Sequence, residues 1–142
     1  MNATEVILAR GHPLVRGTHP TTFEVTREDA LTLNGNCIIA VGADKGAAQL
    51  SPLFKSVLSR EGATLITRLE CRDIMVEIRS LGGPGLLLDH ETDLVWRRSR
   101  FCCGRTIGIC SDHVALTLPR QLIRYLGEGE NLRVIMVAEA PG

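Results

Sequence analysis

Two alternating segments meet in the stretch Leu65-Ile66-Thr67-Arg68-Leu69-Glu70-Cys71-Arg72-Asp73-Ile74-Met75-Val76-Glu77-Ile78. Apolar residues recur at every second position on each side of Cys71-Arg72, which is the period of a strand with one buried face. A turn at Cys71-Arg72 predicts three facing pairs: Leu69 and Ile74, Thr67 and Val76, and Leu65 and Ile78. The stretch therefore predicts an antiparallel hairpin.

More strands are expected on both sides of this hairpin. Alternation predicts strands over residues 5–12 and 18–26, and a run that is apolar on both faces predicts an interior strand over 36–41, after a turn at 33–36. Shorter strands are expected over 86–88, 93–97 and 106–110. A largely apolar segment over 132–138 predicts the last strand.

The first two strands are predicted to form another hairpin, with residues 13–18 as its loop. In this register all inward pairs share one face, apolar at one end and polar at the loop end. The polar pairs are His12 with His19 and Arg10 with Thr21, and the apolar pairs are Leu8 with Phe23 and Val6 with Val25.

Two helices are predicted from capping residues and apolar stripes. Ser51-Pro52 begins the first helix, and Gly62 ends it. Ser111 or Asp112 caps a short helical turn before the second helix, which Gly127 ends. The apolar stripes are Leu53, Phe54, Val57 and Leu58 in the first helix and Leu118, Leu122, Ile123 and Leu126 in the second. These elements predict an α+β fold, in which two main helices pack on a mostly antiparallel or mixed sheet built from hairpins.

The composition is typical of a globular protein. The chain has 142 residues, of which 44% are hydrophobic and 23% charged. Sixteen Lys and Arg residues balance sixteen Asp and Glu residues, which excludes attachment to nucleic acid through an overall positive charge. No repeat with a period of about 20 to 50 residues is visible. Residues 1–142 are therefore expected to form one domain.

The sequence also indicates a location. Its longest apolar runs have about five residues, whereas a membrane-spanning helix needs roughly 20. The N-terminal segment lacks a basic region followed by a long apolar run, so no secretory signal is expected. We expect a cytoplasmic protein whose five cysteines are thiols. Arg is favoured over Lys and there are few Asn and Gln residues, which is typical of heat-adapted organisms.

Several motifs carry a resemblance to a known family. They are Gly11-His12, the segment over 18–26, the segment over 37–46, Asp93, Phe101-Cys102 and Arg105-Thr106. The sequence resembles an archaeal family classed as a domain of unknown function, over nearly the whole chain. The resemblance implies an intracellular, single-domain α+β protein from an archaeon. It brings no assigned reaction, cofactor or catalytic residue.

The polar end of the predicted N-terminal hairpin is the first candidate site. It contains Arg10, His12, His19 and Thr21, with Arg16 in the loop. Two facing imidazoles can bind a metal, share a proton or hold an anion, and the neighbouring Arg residues favour the anion. The alternative is a structural turn in which each His forms a hydrogen bond with a backbone carbonyl beside its proline.

The loop Gly42-Ala43-Asp44-Lys45-Gly46 is the second candidate site. A strand that runs into a glycine-flanked loop and a helical turn exposes backbone N–H groups to a phosphate or carboxylate. Lys45 adds a positive charge, and Asp44 is a candidate general base. The spacing is not that of a Walker loop. The alternative is a strand exit in which Asp44 and both glycines serve the backbone geometry.

A charge boundary is the third candidate. Acidic residues surround His90, and Arg residues with Trp96 and Phe101 follow over 96–105. Basic residues interleaved with aromatic ones bind phosphates and stack bases. The alternative is a solvated edge strand protected by charge. Neutral net charge makes nucleic acid the less favoured partner.

The cysteines give a weaker signal. Cys110 and His113 have the spacing C-x-x-H, and Cys102-Cys103 precede them, but adjacent cysteines are not the usual zinc half-site. No metal site is therefore predicted, and the sequence identifies no cofactor.

The sequence supports two functions. The favoured one is binding of, or chemistry on, a small phosphorylated or carboxylated ligand. The alternative is an RNA-binding or protein-interaction module that uses the segment 96–105. The expected catalytic residues are His12, His19 and Asp44, and the expected ligand-binding residues are Arg10, Thr21, Gly42, Lys45 and Gly46.

Overall fold

The computed structural model describes residues 1–31 and 35–142. Its elements in chain order are β1 (Asn2–Arg10), β2 (Thr22–Thr26), β3 (Ile38–Ala40), α1 (Pro52–Leu58), β4 (Thr64–Cys71), β5 (Ile74–Leu81), β6 (Asp93–Arg97), β7 (Thr106–Gly108), α2 (Arg120–Gly127) and β8 (Asn131–Glu139). Short 3₁₀ helices precede α1 and α2, at Ala47–Gln49 and Ala115–Thr117. The α+β class is confirmed. In these ranges no helix has the length and apolar character that crossing a bilayer requires.

The strands form two four-stranded sheets. The order is β1-β8-β4-β5 in the first sheet, which is antiparallel throughout, and β3-β2-β6-β7 in the second. In the second sheet β2 and β6 are antiparallel, while β3 and β7 run parallel to their neighbours. Single bridges join Arg10 to Val41 and Leu81 to Ile109. These bridges link the edges of the two sheets, so the eight strands follow a closed circuit.

The hairpin predicted around Cys71-Arg72 is confirmed as β4 and β5, with a register that differs by two residues. Leu69 pairs with Val76, and Cys71 pairs with Ile74. The turn has two central residues, as predicted, but it lies one residue further along the chain, at Arg72 and Asp73. Arg72 adopts a left-handed conformation with φ of 54°, which short hairpin turns require.

The predicted hairpin between the first two strands is wrong. β1 pairs along its whole length with β8, and Arg10 faces Asn131 rather than Thr21. β2 begins only at Thr22 and lies between β3 and β6. The predicted pairing of His12 with His19 therefore does not form. Alternation identifies the buried face of β1, but it does not identify the distant strand of matching length that covers its edge.

The helices follow their capping signals in part. The Ser51 hydroxyl accepts a hydrogen bond from Phe54 N at 3.1 Å, so α1 begins as predicted. It ends at Leu58 rather than near Gly62, and Leu53 is exposed. The cap predicted at Ser111 or Asp112 is wrong, because Asp112 binds β5 instead. The apolar stripe predicted for the second helix is buried at Leu118, Leu122, Ile123 and Leu126.

Two shorter strand predictions also need correction. Residues 86–88 form no strand, since Leu88 is left-handed with φ of 51°. β3 lies at an edge of its sheet rather than in the interior. Ala40 and Val41 are nevertheless fully buried, because β1 covers that edge. Part of the turn predicted at 33–36, residues 33–34, lies outside the described residues.

The hydrophobic core lies between the two sheets. Phe23 and Trp96 stack with ring centroids 4.5 Å apart, and both are fully buried. Trp96 Nε1 donates a hydrogen bond of 2.8 Å to Thr67 Oγ1, so the indole of the second sheet is anchored to β4 of the first. A stacked aromatic pair adds about 1 kcal/mol beyond its buried area.

The two halves of the chain repeat one arrangement. Each half contains three strands, a helix and a fourth strand in the same order: β1, β2, β3, α1 and β4 in the first half, and β5, β6, β7, α2 and β8 in the second. Exchanging the two halves leaves the strand order of both sheets unchanged. Left-handed residues recur at equivalent places. Gly42 corresponds to Cys110 (φ of 63° and 50°), and Gly62 corresponds to Gly129 (78° and 84°). The chain is therefore an internal duplication with approximate twofold symmetry. The repeat spans half the chain, which is longer than the period of about 20 to 50 residues sought in the sequence.

The loops that contain His19 and His90, called the histidine loops, show the same symmetry. His19 Nδ1 accepts hydrogen bonds from the amides of Thr21 and Thr22, both at 3.2 Å. His90 Nδ1 accepts from Thr92 N at 3.2 Å and Asp93 N at 2.9 Å. Each loop also docks on the other half of the chain. His19 O accepts from Leu116 N at 3.1 Å and His90 O from Ala48 N at 2.9 Å. The histidine loops therefore join the two halves.

Candidate functional site: an arginine-lined pocket

A pocket of about 540 Å³ opens on the outer face of the first sheet. It lies where the end of β1, the turn between β4 and β5, and the start of β8 meet. Its lining residues are Leu8, Ala9, Arg10, Gly42, Glu70, Arg72, Asn131, Leu132 and Arg133. Three guanidinium groups from three separate segments thus surround one opening, with Glu70 as the acidic lining residue.

Arg10 and Gly42 form one wall of this pocket. Gly42 has φ of 63°, and a Cβ at this position would collide with Arg10 Nη1. The glycine thus allows both the left-handed turn and the close approach of the guanidinium. Arg10 Nη2 also contacts Asp29 Oδ1 at 3.0 Å, but the Asp29 side chain is 83% exposed. Solvent screens such a pair, so it holds Arg10 weakly.

Arg72 and Arg133 form the opposite wall. Antiparallel pairing of β8 with its two neighbours places Arg133 between Leu8 and Glu70. The guanidinium of Arg72 lies 4.7 Å from the centroid of the Tyr125 ring, which fixes its orientation through a cation–π contact. Within residues 1–31 and 35–142, neither Arg72 nor Arg133 forms an ion pair. Their charges are available to a ligand.

The internal duplication produces a second pocket of about 520 Å³ at the equivalent place. Its lining residues are Thr64, Leu65, Ile66, Arg79, Ser80, Leu81, Cys110, Asp112 and Glu139. In this pocket Leu81 stands where the first has Arg10, Ile66 where it has Arg133, and Glu139 where it has Arg72. The two pockets share a backbone shape but differ in charge, so the arginines are a property of the first pocket rather than of the fold.

The predicted histidines hold their own loops. His12 Nδ1 accepts a hydrogen bond from Leu14 N at 3.1 Å, and His19 Nδ1 accepts from the amides described above. An accepting Nδ1 requires the neutral tautomer with its proton on Nε2. Thr21 donates to His19 and shares its turn. Each imidazole therefore stabilises its turn by accepting a hydrogen bond from a backbone amide. The structural alternative derived from the sequence had hydrogen bonds with backbone carbonyls instead.

The predicted loop over 42–46 is bound to its surroundings. Asp44 Oδ1 accepts from Leu8 N at 3.1 Å. Lys45 Nζ binds the buried Glu5 carboxylate at 2.7 Å. Gly46 N donates to Gln49 Oε1 at 2.7 Å. Of the predicted site residues, the structure therefore brings Arg10 and Gly42 into the pocket, whereas the Asp44, Lys45 and Gly46 groups contact β1 and the first 3₁₀ helix.

The segment 96–105 divides into buried and exposed parts. Trp96 is fully buried, so its ring cannot stack on a base at the surface. Arg105 Nη1 contacts Glu24 Oε1 at 3.3 Å and Asp93 Oδ2 at 3.2 Å. Phe101 is 60% exposed, and the guanidinium of Arg97 lies 5.0 Å from its ring centroid. Arg98 and Arg100 are exposed beside it.

The second sheet carries a charged cluster that was not predicted from the sequence. Glu24 is only 5% exposed, and its neighbours are Arg105 and Asp93. Burial and the Asp93 charge raise the pKa of Glu24 to about 7. The signal was the polar alternation of Thr22, Glu24 and Thr26, which normally indicates a solvent-facing side. In the structure this polar face is buried, so the alternating polar residues form an internal polar cluster and not a solvated surface.

The described residues also bear on metal binding. Across the two described ranges, no group of three or more His, Cys, Asp or Glu side chains is arranged to hold a metal ion. His113 Nδ1 lies 3.1 Å from Thr117 Oγ1, so this ring contacts the second 3₁₀ helix.

Comparison with known proteins identifies relatives of this chain. Residues 7–139 match the family model of a domain of unknown function, DUF371. An uncharacterized protein of Methanocaldococcus jannaschii is 39% identical over 127 residues, which cover 89% of this chain and 93% of that protein. The resemblance to an archaeal family found in the sequence is thus confirmed. The chain belongs to the DUF371 family of domains of unknown function.

Proposed function

We propose that the protein is a cytoplasmic binder of a small phosphorylated or carboxylated ligand, which it takes up in the arginine-lined pocket. The observation that carries the proposal is the meeting of Arg10, Arg72 and Arg133 at one opening. A guanidinium presents several N–H donors in a plane and forms paired hydrogen bonds with phosphate or carboxylate oxygens.

The pocket has the dimensions and charge for such a ligand. Its volume of about 540 Å³ falls among those of small-molecule sites. Leu8 and Leu132 supply apolar contact area, while Asn131 offers an amide. Among the described residues Arg72 and Arg133 form no ion pair, and the ion pair of Arg10 is solvent-exposed. An anion therefore gains contacts without breaking a buried ion pair.

A thermal-shift screen tests the proposal. Inorganic phosphate, sugar phosphates, nucleotides and di- and tricarboxylates are compared on the wild-type chain, and a ligand that binds the native state raises the melting temperature. We expect stabilisation by at least one phosphate or carboxylate class, lost in Arg72→Gln/Arg133→Gln. Arg79→Gln removes a charge from the duplicate pocket and is the matched control. Equal stabilisation of all three proteins contradicts the proposal.

The catalytic assignment of His12, His19 and Asp44 stays a prediction. Their side-chain acceptors contact backbone amides in this structure, so we propose binding as the primary function and no reaction step. His12→Gln and His19→Gln test the assignment once a ligand is known. Ligand turnover that is lost in either variant, with binding retained, supports a catalytic role.

The interaction-module alternative rests on Phe101. This ring is 60% exposed and is flanked by Arg98 and Arg100, a combination that stacks single-stranded bases and binds their phosphates. Fluorescence anisotropy with a labelled single-stranded RNA tests it. Salt-sensitive binding that is lost in Phe101→Ala and in Arg98→Gln/Arg100→Gln supports an RNA module, and no binding at low salt rejects it.

A further inference from the structure

Cys103 lies in a ring of hydrogen-bonding groups at the edge of the second sheet. Its Sγ is 3.4 Å from Arg97 Nη2 and 3.6 Å from Thr106 Oγ1. Arg97 Nε donates to the same Thr106 oxygen at 2.8 Å, and Cys103 N donates to it at 3.3 Å. Arg97, Cys103 and Thr106 thus hold one another in place.

The donors of this ring point to the sulfur. A threonine hydroxyl has one proton and two lone pairs. Thr106 Oγ1 accepts from both Arg97 Nε and Cys103 N, so its own proton remains for the sulfur. Arg97 can only donate. Cys103 Sγ therefore faces one hydroxyl proton and one guanidinium, an environment that favours a negatively charged sulfur.

The Arg105 backbone strengthens this environment. It forms a hydrogen bond with the sulfur, while the Arg105 guanidinium is held by Glu24 and Asp93. Hydrogen bonds from Thr106, the Arg105 backbone and Arg97 outweigh burial and lower the pKa of the Cys103 thiol to about 7. Burial instead raises the pKa of the Cys37 and Cys71 thiols.

We propose that Cys103 is a nucleophilic thiolate that forms mixed disulfides with small-molecule disulfides. The Cys103 sulfur attacks one sulfur of the disulfide and forms a new S–S bond. The original S–S bond breaks, and the second sulfur leaves as a thiolate with the bonding electron pair. The Cys103 sulfur is oxidised and the leaving sulfur is reduced, so no further oxidant is needed. Arg97 is a positioning residue that stabilises the attacking thiolate.

This site is separate from the anion pocket and independent of the proposed function. None of Arg97, Cys103 or Thr106 lines either pocket. Cys103 is partly exposed, and the adjacent Phe101 offers an apolar surface to the organic part of a disulfide.

Reaction with 4,4′-dithiodipyridine tests the proposal on the intact chain. We expect one of the five thiols to react faster than the others at pH 7, and peptide mass spectrometry to place the fast modification on Cys103. Cys103→Ser abolishes the fast phase, and Cys102→Ser retains it. In Arg97→Gln the rate at pH 6 to 7 falls by roughly 3- to 10-fold, since the loss of thiolate is partly offset by higher intrinsic nucleophilicity.

Several results would overturn the proposal. One is a fast phase that survives Cys103→Ser, and another is a fast phase that Cys102→Ser removes. A third is a wild-type rate that rises with pH only around the ordinary thiol pKa of about 8.5. The pH dependence of the wild-type rate tests the proposal even if a variant fails to fold.

Discussion

Asp44 and Asp112 occupy equivalent positions in the two halves of the chain and hold their strands in the same way. Asp44 N donates to Leu8 O at 3.0 Å, and Asp44 Oδ1 accepts from Leu8 N at 3.1 Å. Asp112 exchanges the same two bonds with Arg79, at 3.0 and 2.9 Å. The paired aspartates therefore lock each loop to the strand that begins its half.

This equivalence separates structural from functional residues. A feature present in both halves, such as the aspartate lock, is explained by the fold. A feature present in one half needs another reason, and the arginines of the first pocket are such a feature, because the duplicate pocket has Leu81, Ile66 and Glu139 at those places. The duplication thus supplies an internal control for each prediction about the pocket.

Gly42→Ala is expected to disturb the pocket as well as the backbone. A Cβ at Gly42 meets Arg10 Nη1, and φ is 63°. Gly129, at φ of 84° with open space around it, is the matched control for backbone strain alone. We expect Gly129→Ala to cost roughly 1 kcal/mol in urea unfolding. Gly42→Ala should cost more and weaken phosphate binding, and equal effects of the two variants on binding would refute the role of Arg10.

Lys45→Met is expected to destabilise the protein through Glu5. The Glu5 side chain is 7% exposed and loses its cation in this variant. The buried carboxylate that remains costs about 3 kcal/mol, the low end for a broken buried pair, because Lys45 is 34% exposed. Lys55→Met is the control, because among the described residues Lys55 Nζ contacts only the Ala48 carbonyl oxygen, at 2.6 Å. Denaturant unfolding of both variants compares them. Loss of ligand binding in a folded Lys45→Met protein would instead support the direct ligand contact predicted from the sequence.

Glu24 is expected to make stability fall as pH rises. Its pKa in the folded protein is about 7, against an ordinary value of 4.5. Between these values the folded state keeps a proton that the unfolded state releases. The stabilisation is therefore fully present below pH 4.5 and is lost as pH rises through 7.

Unfolding free energies of wild type and Glu24→Gln from pH 4 to 8 measure this contribution. Glutamine stays neutral, so the variant gains roughly 1 to 3 kcal/mol relative to wild type across the interval. The difference between the two proteins cancels the contributions of all other groups. A constant difference at every pH would contradict the raised value, because it would show that Glu24 has the same pKa in the folded and unfolded states.

Thr67→Val is expected to leave the indole of Trp96 without an acceptor. The donor is fully buried and its bond to Thr67 Oγ1 is 2.8 Å, so the loss costs about 1 to 3 kcal/mol. Trp96→Phe combined with Thr67→Val removes both partners, and the double-mutant cycle should show positive coupling. Additive effects on the free energy of unfolding would mean that the hydrogen bond contributes nothing.

Local signals predicted the local structure. Ser51 and Pro52 determine where α1 begins, and the alternation around Cys71-Arg72 determines that β4 and β5 pair. The strand that pairs with β1 could not be predicted from local signals. The apolar face of β1 fits several strands equally well, and the choice of β8 follows from closure of the whole sheet, which no short segment encodes.

The pocket depends on the same long-range closure. Arg10 was predicted as a ligand-binding residue from the polar end of the N-terminal hairpin, and Gly42 from the glycine-flanked loop that follows a strand. Arg72 and Arg133 were not, because Arg72 lies in a predicted turn and alternation makes Arg133 a solvent-facing residue of the last strand. Only the pairing of β8 with both β1 and β4 brings them to one opening. The duplication was also hidden, since its equivalent positions carry unlike residues, such as Arg10 and Leu81.

Calorimetric titration of phosphate, or of the best anion from the screen, into three proteins tests the central claim most directly. The proteins are the wild type, Arg72→Gln/Arg133→Gln, and Arg79→Gln from the duplicate pocket. Loss of charge-assisted hydrogen bonds predicts at least about tenfold weaker binding by the double variant, which corresponds to roughly 1.4 kcal/mol, and unchanged binding by Arg79→Gln. Equal affinity for all three proteins would contradict the arginine-lined pocket as the anion site.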